Sequence, residues 1–303
     1  MNKTAHLAGI GFASIFGLSF MFSKTALDYV TPVGLIAYRF LIAFVGFELL
    51  RLTGVIKVQI RKSNVKALFL VALFQPVLYF LFETYGLKQT SSSEAGMMIA
   101  IIPIFVAILG SVFLKEKPTF IQVLFILLSI AGIILIQAAK AGEGLFGNGS
   151  GFILLLLAVV SAACFNIASR KASFSANPYE VTYVMMLCGA TTFNGIYLIQ
   201  LGIQNRIGDY LTNLSSTKLI LPLLYLGLVA SIGGFFLVNY TLGKLPAHVS
   251  SVYSNLATII AIVAGSVFMK EQLEYYHFIG AGMILIGVYG TVWFARHRAV
   301  RKI

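Results

Sequence analysis

Charged residues are scarce in this chain, and acidic ones are the scarcest. Only 11% of its 303 residues are charged, with 10 Asp and Glu against 22 Lys and Arg. Soluble globular domains carry about a quarter charged residues, so this composition excludes an ordinary soluble domain. Hydrophobic residues make up 59% of the chain and the mean hydropathy is +0.92. A protein core cannot absorb so much apolar surface, whereas a lipid bilayer can.

The net charge of +12 would suit a nucleic-acid partner if the basic residues formed one patch. They lie instead in short loops between apolar runs, which is the distribution typical of membrane topology signals. We therefore expect no nucleic-acid partner, and we expect the lipid bilayer to surround the protein.

Cysteine and histidine are also few. Cys164 and Cys188 lie inside apolar runs, at no spacing suited to a metal site or a disulfide framework. A membrane-embedded enzyme would need clustered ligands or an activated nucleophile. His248 lies near Ser250 and Ser251, but no Asp partner or Gly-x-Ser-x-Gly elbow accompanies it. We expect no catalytic residue, no metal and no cofactor.

The chain contains many long apolar segments. A helix needs about 20 residues to cross the hydrocarbon core, and no segment alternates with the period of a barrel strand. The N-terminal run lacks a nearby small-residue cleavage site, so we interpret it as an uncleaved first helix. The predicted spans lie near 7–27, 32–50, 66–87, 92–114, 119–138, 151–170, 179–202, 219–242, 246–269 and 275–295. The fold class predicted is an all-α integral membrane protein with ten transmembrane helices.

A seven-residue motif occurs twice, 155 positions apart. Residues 110–116 read GSVFLKE and residues 265–271 read GSVFMKE. An offset of 146 also aligns Pro32 with Pro178. Self-similarity over so long a span indicates a duplicated unit.

The duplication divides the chain into two halves of five segments each. We predict a first five-helix repeat at 1–138, a Gly-rich flexible linker at 139–150, and a second five-helix repeat with a short basic tail at 151–303. Because five is odd, the second copy enters the membrane from the opposite side. This predicts two inverted five-helix repeats, as in many secondary transporters.

Lys and Arg are distributed unevenly between the two sides. With the N-terminus inside, 15 of them fall on the inner segments and 6 on the outer ends, and Arg39 lies inside a helix. The positive-inside rule then predicts that both termini are cytoplasmic in the plasma membrane.

Several motifs together are diagnostic of a family. They are Pro32 and Arg39 in TPVGLIAYRFLIAF, the stretch 85–116 with its second copy at 240–271, and the Gly132 and Gly287 pair. They resemble the drug/metabolite transporter (DMT) superfamily in its ten-helix EamA-type form, over about residues 6–297. The resemblance implies a secondary carrier in which helices 1, 3, 4, 6, 8 and 9 surround a central cavity and helices 5 and 10 are peripheral.

Two features bear on that implied arrangement. The fifth segment is almost uniformly apolar, as a lipid-facing helix should be. Pro103 has Thr258 as its counterpart, where the family usually has a second Pro, so helix nine is expected to lack the bend of helix four.

Polar side chains recur at helical spacing on the third and ninth segments, so each set shares one face. A single Ser or Thr most commonly bonds across packed helices, whereas a longer stripe favours the lining of a cavity. The stripes are Gln75, Tyr79 and Glu83 on the third segment and His248, Ser251, Asn255 and Thr258 on the ninth. The full predicted solute-binding set is Ser19, Ser23, Gln75, Tyr79, Glu83, Glu94, Met98, Asn166, Ser169, Asn239, His248, Ser251, Asn255 and Thr258.

Charges inside membrane helices are functional candidates by default. Glu83, Glu94 and Lys88 are predicted at the outer mouth, where they could bind a zwitterion, form an outer gate, or remain a solvated interfacial cluster. Arg39 is predicted about 10 Å below the outer end of its helix, from where it could snorkel or bond a backbone carbonyl.

Two further carboxylates, Glu116 and Glu271, stand where one helix ends and the next begins. N-terminal capping of the next helix explains this position best.

These residues favour a secondary-active transporter, with export of small metabolites such as amino acids as the leading hypothesis. Organophosphates would need deep Lys or Arg on the cavity stripes, and lipophilic cations a deep carboxylate; the predicted stripes show neither. Other neutral solutes such as nucleosides, sugars and drugs remain the alternative, and protons remain a candidate coupling ion. A membrane-embedded enzyme or a sensor subunit is the less favoured class.

Overall fold

The computed structural model describes residues 3–87, 89, 98–141, 149–214, 217–270 and 273–300. Within these ranges the structure is helical, mostly α-helical, and the helices are joined by turns and short loops. The helices are numbered α1 to α10. In the first half they are α1 Lys3–Leu27, α2 Pro32–Leu52, α3 (the consecutive stretches Val65–Ala72, Leu73–Leu78 and Tyr79–Leu87), α4 Ile102–Phe113 and α5 Phe120–Ala141. In the second half they are α6 Gly149–Ala172, α7 Pro178–Ile203, α8 (the consecutive stretches Thr217–Leu224, Tyr225–Gly234 and Phe235–Lys244), α9 (Ala247–Val252 and Ser254–Met269) and α10 Tyr275–Val300.

Nine of the helices described are long and apolar enough to cross a membrane, and the stretch Met98–Phe113 is a shorter apolar helix. A further short helix, Asp209–Leu214, lies between α7 and α8. The all-α membrane fold with about ten helices is therefore confirmed. Of the predicted linker, residues 142–148 lie outside the described residues.

Helices α2 and α7 both begin with an N-cap side chain followed by proline. The side-chain oxygen of Thr31 accepts a hydrogen bond from the Gly34 N–H (3.2 Å), and Pro32 is the first helical residue. Asn177 forms a capping box with Glu180, with both bonds at 3.0 Å, ahead of Pro178. A capping side chain satisfies an N–H group that has no helical partner, and proline fits the first helical position.

The duplicated motif is a helix ending. Lys115 and Lys270 both have φ of 57°, the left-handed conformation that closes an α-helix. Two neighbouring N–H groups, of Leu114 and Glu116, donate to the Gly110 carbonyl, and the Lys270 N–H donates to the Gly265 carbonyl. The repeated sequence thus encodes the same turn at the ends of α4 and α9.

Helices α3 and α8 are irregular at mid-length. In α3, Gln75 has φ −149° and ψ 120°, directly before Pro76. In α8, the π-helical stretch Tyr225–Gly234 contains Ser231, whose hydroxyl donates to the Leu226 carbonyl five residues earlier (2.8 Å). Such π-type irregularities are frequent at functional sites.

Helix α9 consists of two consecutive stretches, Ala247–Val252 and Ser254–Met269, joined at Tyr253. Tyr253 keeps helical backbone angles, with φ −61° and ψ −26°. The Tyr253 hydroxyl bonds His6 Nδ1 of α1 at 2.6 Å. The junction between the two stretches therefore coincides with a tertiary contact to α1. The expectation that α9 lacks the bend of helix four stays a prediction.

The principal helix contacts join the two halves of the chain. α5 packs against α10, α2 against α7, α1 against α9 and α8, and α6 against α4 and α3. If each helix of the first half is exchanged with its counterpart in the second (α1 with α6, and so on to α5 with α10), the same list of packed pairs is obtained. A contact list that is unchanged by this exchange is expected when two copies of one unit pack about a two-fold axis.

α5 and α10 approach closely at glycines. A Cβ atom on Gly132 would lie 2.6 Å from the Gly280 carbonyl oxygen, and one on Gly287 would lie 2.5 Å from the Phe125 carbonyl oxygen. Small residues allow such backbone contact between membrane helices. The polar residues of α5 also face protein, since Gln122 and Ser129 are both buried. The lipid-facing character predicted for this helix therefore applies to its other side, where Phe120 and Leu124 are exposed.

Candidate functional site

Arg39 of α2 points into the bundle. Only 8% of the residue is exposed, and its Nε–H donates a 2.8 Å hydrogen bond to the hydroxyl of Ser231 in α8. The side chain therefore neither snorkels to the interface nor bonds a backbone carbonyl, the two roles that the sequence suggested. It joins α2 of the first half to the irregular stretch of α8 in the second.

Tyr79 and Glu83 lie one helical turn apart on α3. The Tyr79 hydroxyl donates to Glu83 Oε1 at 3.1 Å, and the guanidinium of Arg39 interacts electrostatically with both side chains. Tyr79 is buried and Glu83 is half-buried. The structure thus brings two members of the predicted third-helix stripe together with an arginine outside the predicted set.

Aromatic rings surround this charged group. The Arg39 guanidinium carbon lies 5.9 Å from the centroid of the Phe40 ring and 5.4 Å from that of Phe80. The two rings meet edge to face at 5.4 Å, and Tyr79 packs on Phe80 at 5.1 Å. Rings at such distances attract a cation and keep water away from it. A small apolar cavity of about 10 Å³, room for about one water molecule, adjoins Phe80.

A second polar group joins α6, α7 and α8. The Ser169 hydroxyl donates to Asn239 Oδ1 at 2.7 Å, and Asn239 Nδ2 donates to Thr182 Oγ1 at 3.0 Å. All three residues are buried. The hydroxyl of Thr182 in turn donates to the Pro178 carbonyl at 2.8 Å. Both ends of the Asn239 amide are therefore occupied by protein partners.

The polar side chains predicted to form one stripe on α9 contact different neighbours. His248, Ser251 and Asn255 are all buried. The Ser251 hydroxyl donates to the His248 carbonyl of its own helix (3.2 Å), whereas Asn255 Nδ2 donates to the Ser129 hydroxyl of α5 (3.0 Å). Asn255 thus contacts one of the two helices expected to be peripheral.

The remaining predicted residues are distributed over several helices. Ser19 and Asn166 bond carbonyls of their own helices, and Met98 is buried. Ser23, Gln75 and Thr258 are half-buried. Glu94 lies outside the described residues, as do Lys88 and Glu271.

Glu116 makes a cross-bundle contact that differs from the capping role predicted for it. Its Oε2 accepts a 2.7 Å hydrogen bond from the Ala247 N–H at the start of α9, and its Oε1 accepts a 2.8 Å bond from Arg170 of α6. Arg170 also donates to the Leu242 carbonyl of α8 at 3.0 Å. The next helix, α5, has its own cap, in which Thr119 and Gln122 bond each other reciprocally. Glu116 therefore caps α9 rather than α5.

Sequence reasoning missed Arg39 and Ser231 as site residues. A signal for Arg39 was present, because it is a charge inside a predicted membrane helix, and such charges are functional candidates by default. Ser231 had no such signal, since its position follows from the π-helical stretch of α8. Among the residues the structure describes, no three His, Cys, Asp or Glu side chains group to hold a metal.

Comparison with known proteins identifies the family. The EamA-like transporter family matches residues 3–138 and again 149–293. This chain belongs to the EamA-like transporter family. It is a transporter rather than an enzyme, its substrate is a small-molecule solute, and it is embedded in lipid.

Named relatives extend over the whole chain. A Bacillus subtilis protein named uncharacterized transporter YcxC is 38% identical over 287 residues, covering 95% of this chain and 92% of its own. A probable amino-acid metabolite efflux pump of Escherichia coli is 27% identical and covers 95% of both chains. A probable amino-acid metabolite efflux pump of Salmonella typhimurium is 26% identical with the same coverage. One solved crystal structure with 18% identity superposes with a TM-score of 0.81 over 98% of this chain and 99% of that one, which shows a shared fold.

Proposed function

We propose that this protein is a secondary-active exporter of small amino-acid-like metabolites, located in the plasma membrane. The observation that carries the proposal is the contact between Arg39 and Ser231, which places a charged side chain between α2 of one half and α8 of the other. Inverted repeats place their solute sites at such an interface. Charged groups are costly in a membrane interior and commonly mark solute or ion pathways.

The similar proteins support the solute class. Two of them, from Escherichia coli and Salmonella typhimurium, are named probable amino-acid metabolite efflux pumps. The similarity is below 30% in both cases, so the solute of this chain rests on its own residues. The site around Arg39 and Glu83 carries both signs of charge, which suits a solute that carries both.

Transport by alternating access would proceed by movement of the repeats 1–138 and 151–303 around this site. Glu116 supports a closed state at one end of the bundle, because it connects α4 with α6 and α9. The count of 15 inner against 6 outer basic residues supports placing that end and both termini in the cytoplasm. A closed cytoplasmic end corresponds to an outward-facing or occluded state.

The test is a flux measurement on purified full-length protein in proteoliposomes. Vesicles are loaded with a mixture of labelled alanine, leucine and threonine, and efflux is compared with that of protein-free vesicles. An imposed pH gradient measures proton coupling, for which Glu83 is the candidate carboxyl group. Efflux of labelled uridine or glucose but not of the amino acids would favour the alternative class of neutral solutes.

Orientation is tested separately by labelling. A single cysteine added after Ile303 in a variant lacking Cys164 and Cys188 should be protected in intact cells and should react after lysis. Labelling of intact cells would reverse the assignment of the cytoplasmic end.

A further inference from the structure

We propose that a groove between α1, α8 and α9 binds one anionic phospholipid, with the lipid phosphate at Lys218 and one acyl chain along the apolar walls. None of the residues that line this groove belongs to the group around Arg39. The inference goes beyond the proposed function and does not depend on which solute the protein carries.

The groove is large enough for part of a lipid molecule. Its volume is about 620 Å³, within the range of ordinary small-molecule sites. Its walls come from both halves of the chain, with α1 on one side and α8 and the last turn of α9 on the other. The apolar lining side chains are Met21, Phe22, Leu221, Pro222 and Phe268, and two threonines and Lys218 complete the described lining.

The groove runs from the depth of the lipid headgroups into the hydrocarbon. Helix α8 continues over Thr217–Lys244, and its 28 residues span about 40 Å at 1.5 Å per residue. The hydrocarbon core is about 30 Å thick, so the ends of this helix reach the headgroup region. Lys218 is its second residue, whereas Leu221 and Pro222 lie about one turn deeper. The one charge among the described lining residues is therefore at headgroup depth.

The groove opens toward the lipid and has an ordered wall. Leu221 and Phe268 are each 66% exposed, so their side chains lie on the outside of the bundle. The Phe22 ring stacks on Tyr225 of α8 at 4.2 Å, and the Tyr225 hydroxyl donates to the Ile15 carbonyl of α1 at 3.0 Å. These contacts hold α1 and α8 together beside the groove, so an acyl chain would meet a preformed surface.

The ammonium group of Lys218 is positioned by an aromatic ring. Its Nζ lies 5.8 Å from the centroid of the Tyr29 ring. A cation over a ring is attracted to it and still keeps its three N–H donors. No carboxylate of the described residues forms an ion pair with Lys218. The donors can therefore bind an anion from outside the protein.

Charge complementarity selects the headgroup. Lysine binds phosphate as a point charge, and basic pockets between membrane helices bind anionic lipid headgroups. A zwitterionic lipid brings its own ammonium group, which offsets the attraction of its phosphate to Lys218. We therefore expect the groove to prefer an anionic lipid over a zwitterionic lipid with the same chains.

The experiment titrates the full-length protein in detergent with palmitoyl-oleoyl phosphatidylglycerol or with phosphatidylcholine of the same chains. Native mass spectrometry gives the Kd of the first lipid bound. We expect phosphatidylglycerol to bind about fivefold more tightly, the effect of one lysine on an anionic lipid. Glycerol phosphate, which has no acyl chain, should not displace it. Equal affinity for the two lipids, or displacement by glycerol phosphate, would overturn the proposal.

Variants at the charged end locate the headgroup. Lys218→Gln should weaken phosphatidylglycerol binding about fivefold and leave phosphatidylcholine binding unchanged. Lys66→Gln is the matched control, since Lys66 is likewise an exposed second residue of its helix, α3, and does not line the groove. Equal losses in the two variants would show attraction to the net positive charge alone and would overturn the site.

Variants at the apolar end locate the acyl chain. Leu221→Trp should fill the groove and weaken binding of both lipids. Ile220→Trp places the same bulk at an exposed neighbour on α8 outside the groove and should leave both affinities unchanged. Unchanged lipid binding in Leu221→Trp would contradict the placement of the chain between α1 and α8.

Discussion

The Glu116 carboxylate accepts a hydrogen bond from the backbone N–H of Ala247, which lies 131 residues further along the chain. The contact ties the last residue of the GSVFLKE motif in one half to the first turn of α9 in the other. Arg170 adds a charged partner from α6, and the side chains of Arg170 and Glu116 are only 15% and 18% exposed. A partly buried carboxylate with two partners is a stronger connection than an exposed ion pair.

Replacing Glu116 should loosen this end of the bundle. Hydrogen bonds to charged groups contribute about 1.5–3 kcal/mol each, and about 1.4 kcal/mol corresponds to tenfold in an equilibrium. Glu116→Ala removes both bonds, whereas Glu116→Gln keeps an acceptor for Ala247. Hydrogen–deuterium exchange of the segment 242–252 should therefore be fastest in the Ala variant, intermediate in the Gln variant and slowest in the wild type.

The control for that experiment is Glu48→Gln, which breaks an ion pair within a single helix. It should leave exchange at 242–252 unchanged. If Glu116→Ala also leaves this exchange unchanged, the contact does not close the end of the bundle.

The helices could be predicted from the sequence because lipid imposes a length and a composition on every span. The starts predicted at 32 and 179 lie within one residue of the observed starts of α2 and α7, which Thr31 and Asn177 cap. The contact of Tyr253 with His6 could not be predicted, since it depends on how α9 packs against α1.

The candidate site could be predicted only in part. Helical spacing placed Tyr79 and Glu83 on one face, and their side chains bond each other. Spacing within one helix does not say which neighbour that face meets. Arg39 and Ser231 are 192 residues apart in sequence, and Asn255 and Ser129 are 126 apart, so both hydrogen bonds depend on tertiary packing.

The Asn239 amide should matter more for stability than for solute binding. It bonds Ser169 and Thr182 on two other helices, and an interhelical hydrogen bond in a membrane contributes about 0.6 kcal/mol on average. We expect Asn239→Leu to lower the free energy of unfolding by about 1–2 kcal/mol, since two bonds are lost. Thermal unfolding in detergent measures the change.

Ser161→Ala is the matched control for Asn239→Leu. The Ser161 hydroxyl lies on α6 like Ser169, but it bonds only the Leu157 carbonyl of its own helix. Its replacement should change stability far less. A large loss of solute affinity with unchanged stability in Asn239→Leu would instead return Asn239 to the solute site.

The contact between α5 and α10 should tolerate no added bulk at Gly287. A Cβ there would lie 2.5 Å from the Phe125 carbonyl oxygen, whereas a Cβ on Gly282 would meet nothing within 4 Å. Overpacking costs about 1–3 kcal/mol, and more where backbone must move. We expect Gly287→Leu to reduce the yield of monodisperse protein and its Tm, while Gly282→Leu on the same helix is neutral. Equal behaviour of the two variants would contradict the close contact.

The last prediction concerns the role of Asn255. As a member of a polar stripe, it was expected to line a water-filled cavity, so that Asn255→Leu would weaken transport and leave folding intact. The hydrogen bond from Asn255 Nδ2 to Ser129 Oγ predicts the opposite. Ser129 already donates to the Ile126 carbonyl, so its oxygen is oriented to accept from Asn255.

A double-mutant cycle decides between these two roles. Asn255→Leu and Ser129→Ala should each lower the free energy of unfolding, and together they should lose less than the sum, with a coupling of about 0.5–1.5 kcal/mol. Ser254→Ala, which removes a hydroxyl bonded only within α9, should not couple to Ser129→Ala. Since a bond between α9 and α5 stabilises the protein whether or not a solute is bound, KM should stay unchanged in all of these variants. A higher KM with zero coupling would show that Asn255 faces the solute and that its bond to α5 contributes nothing.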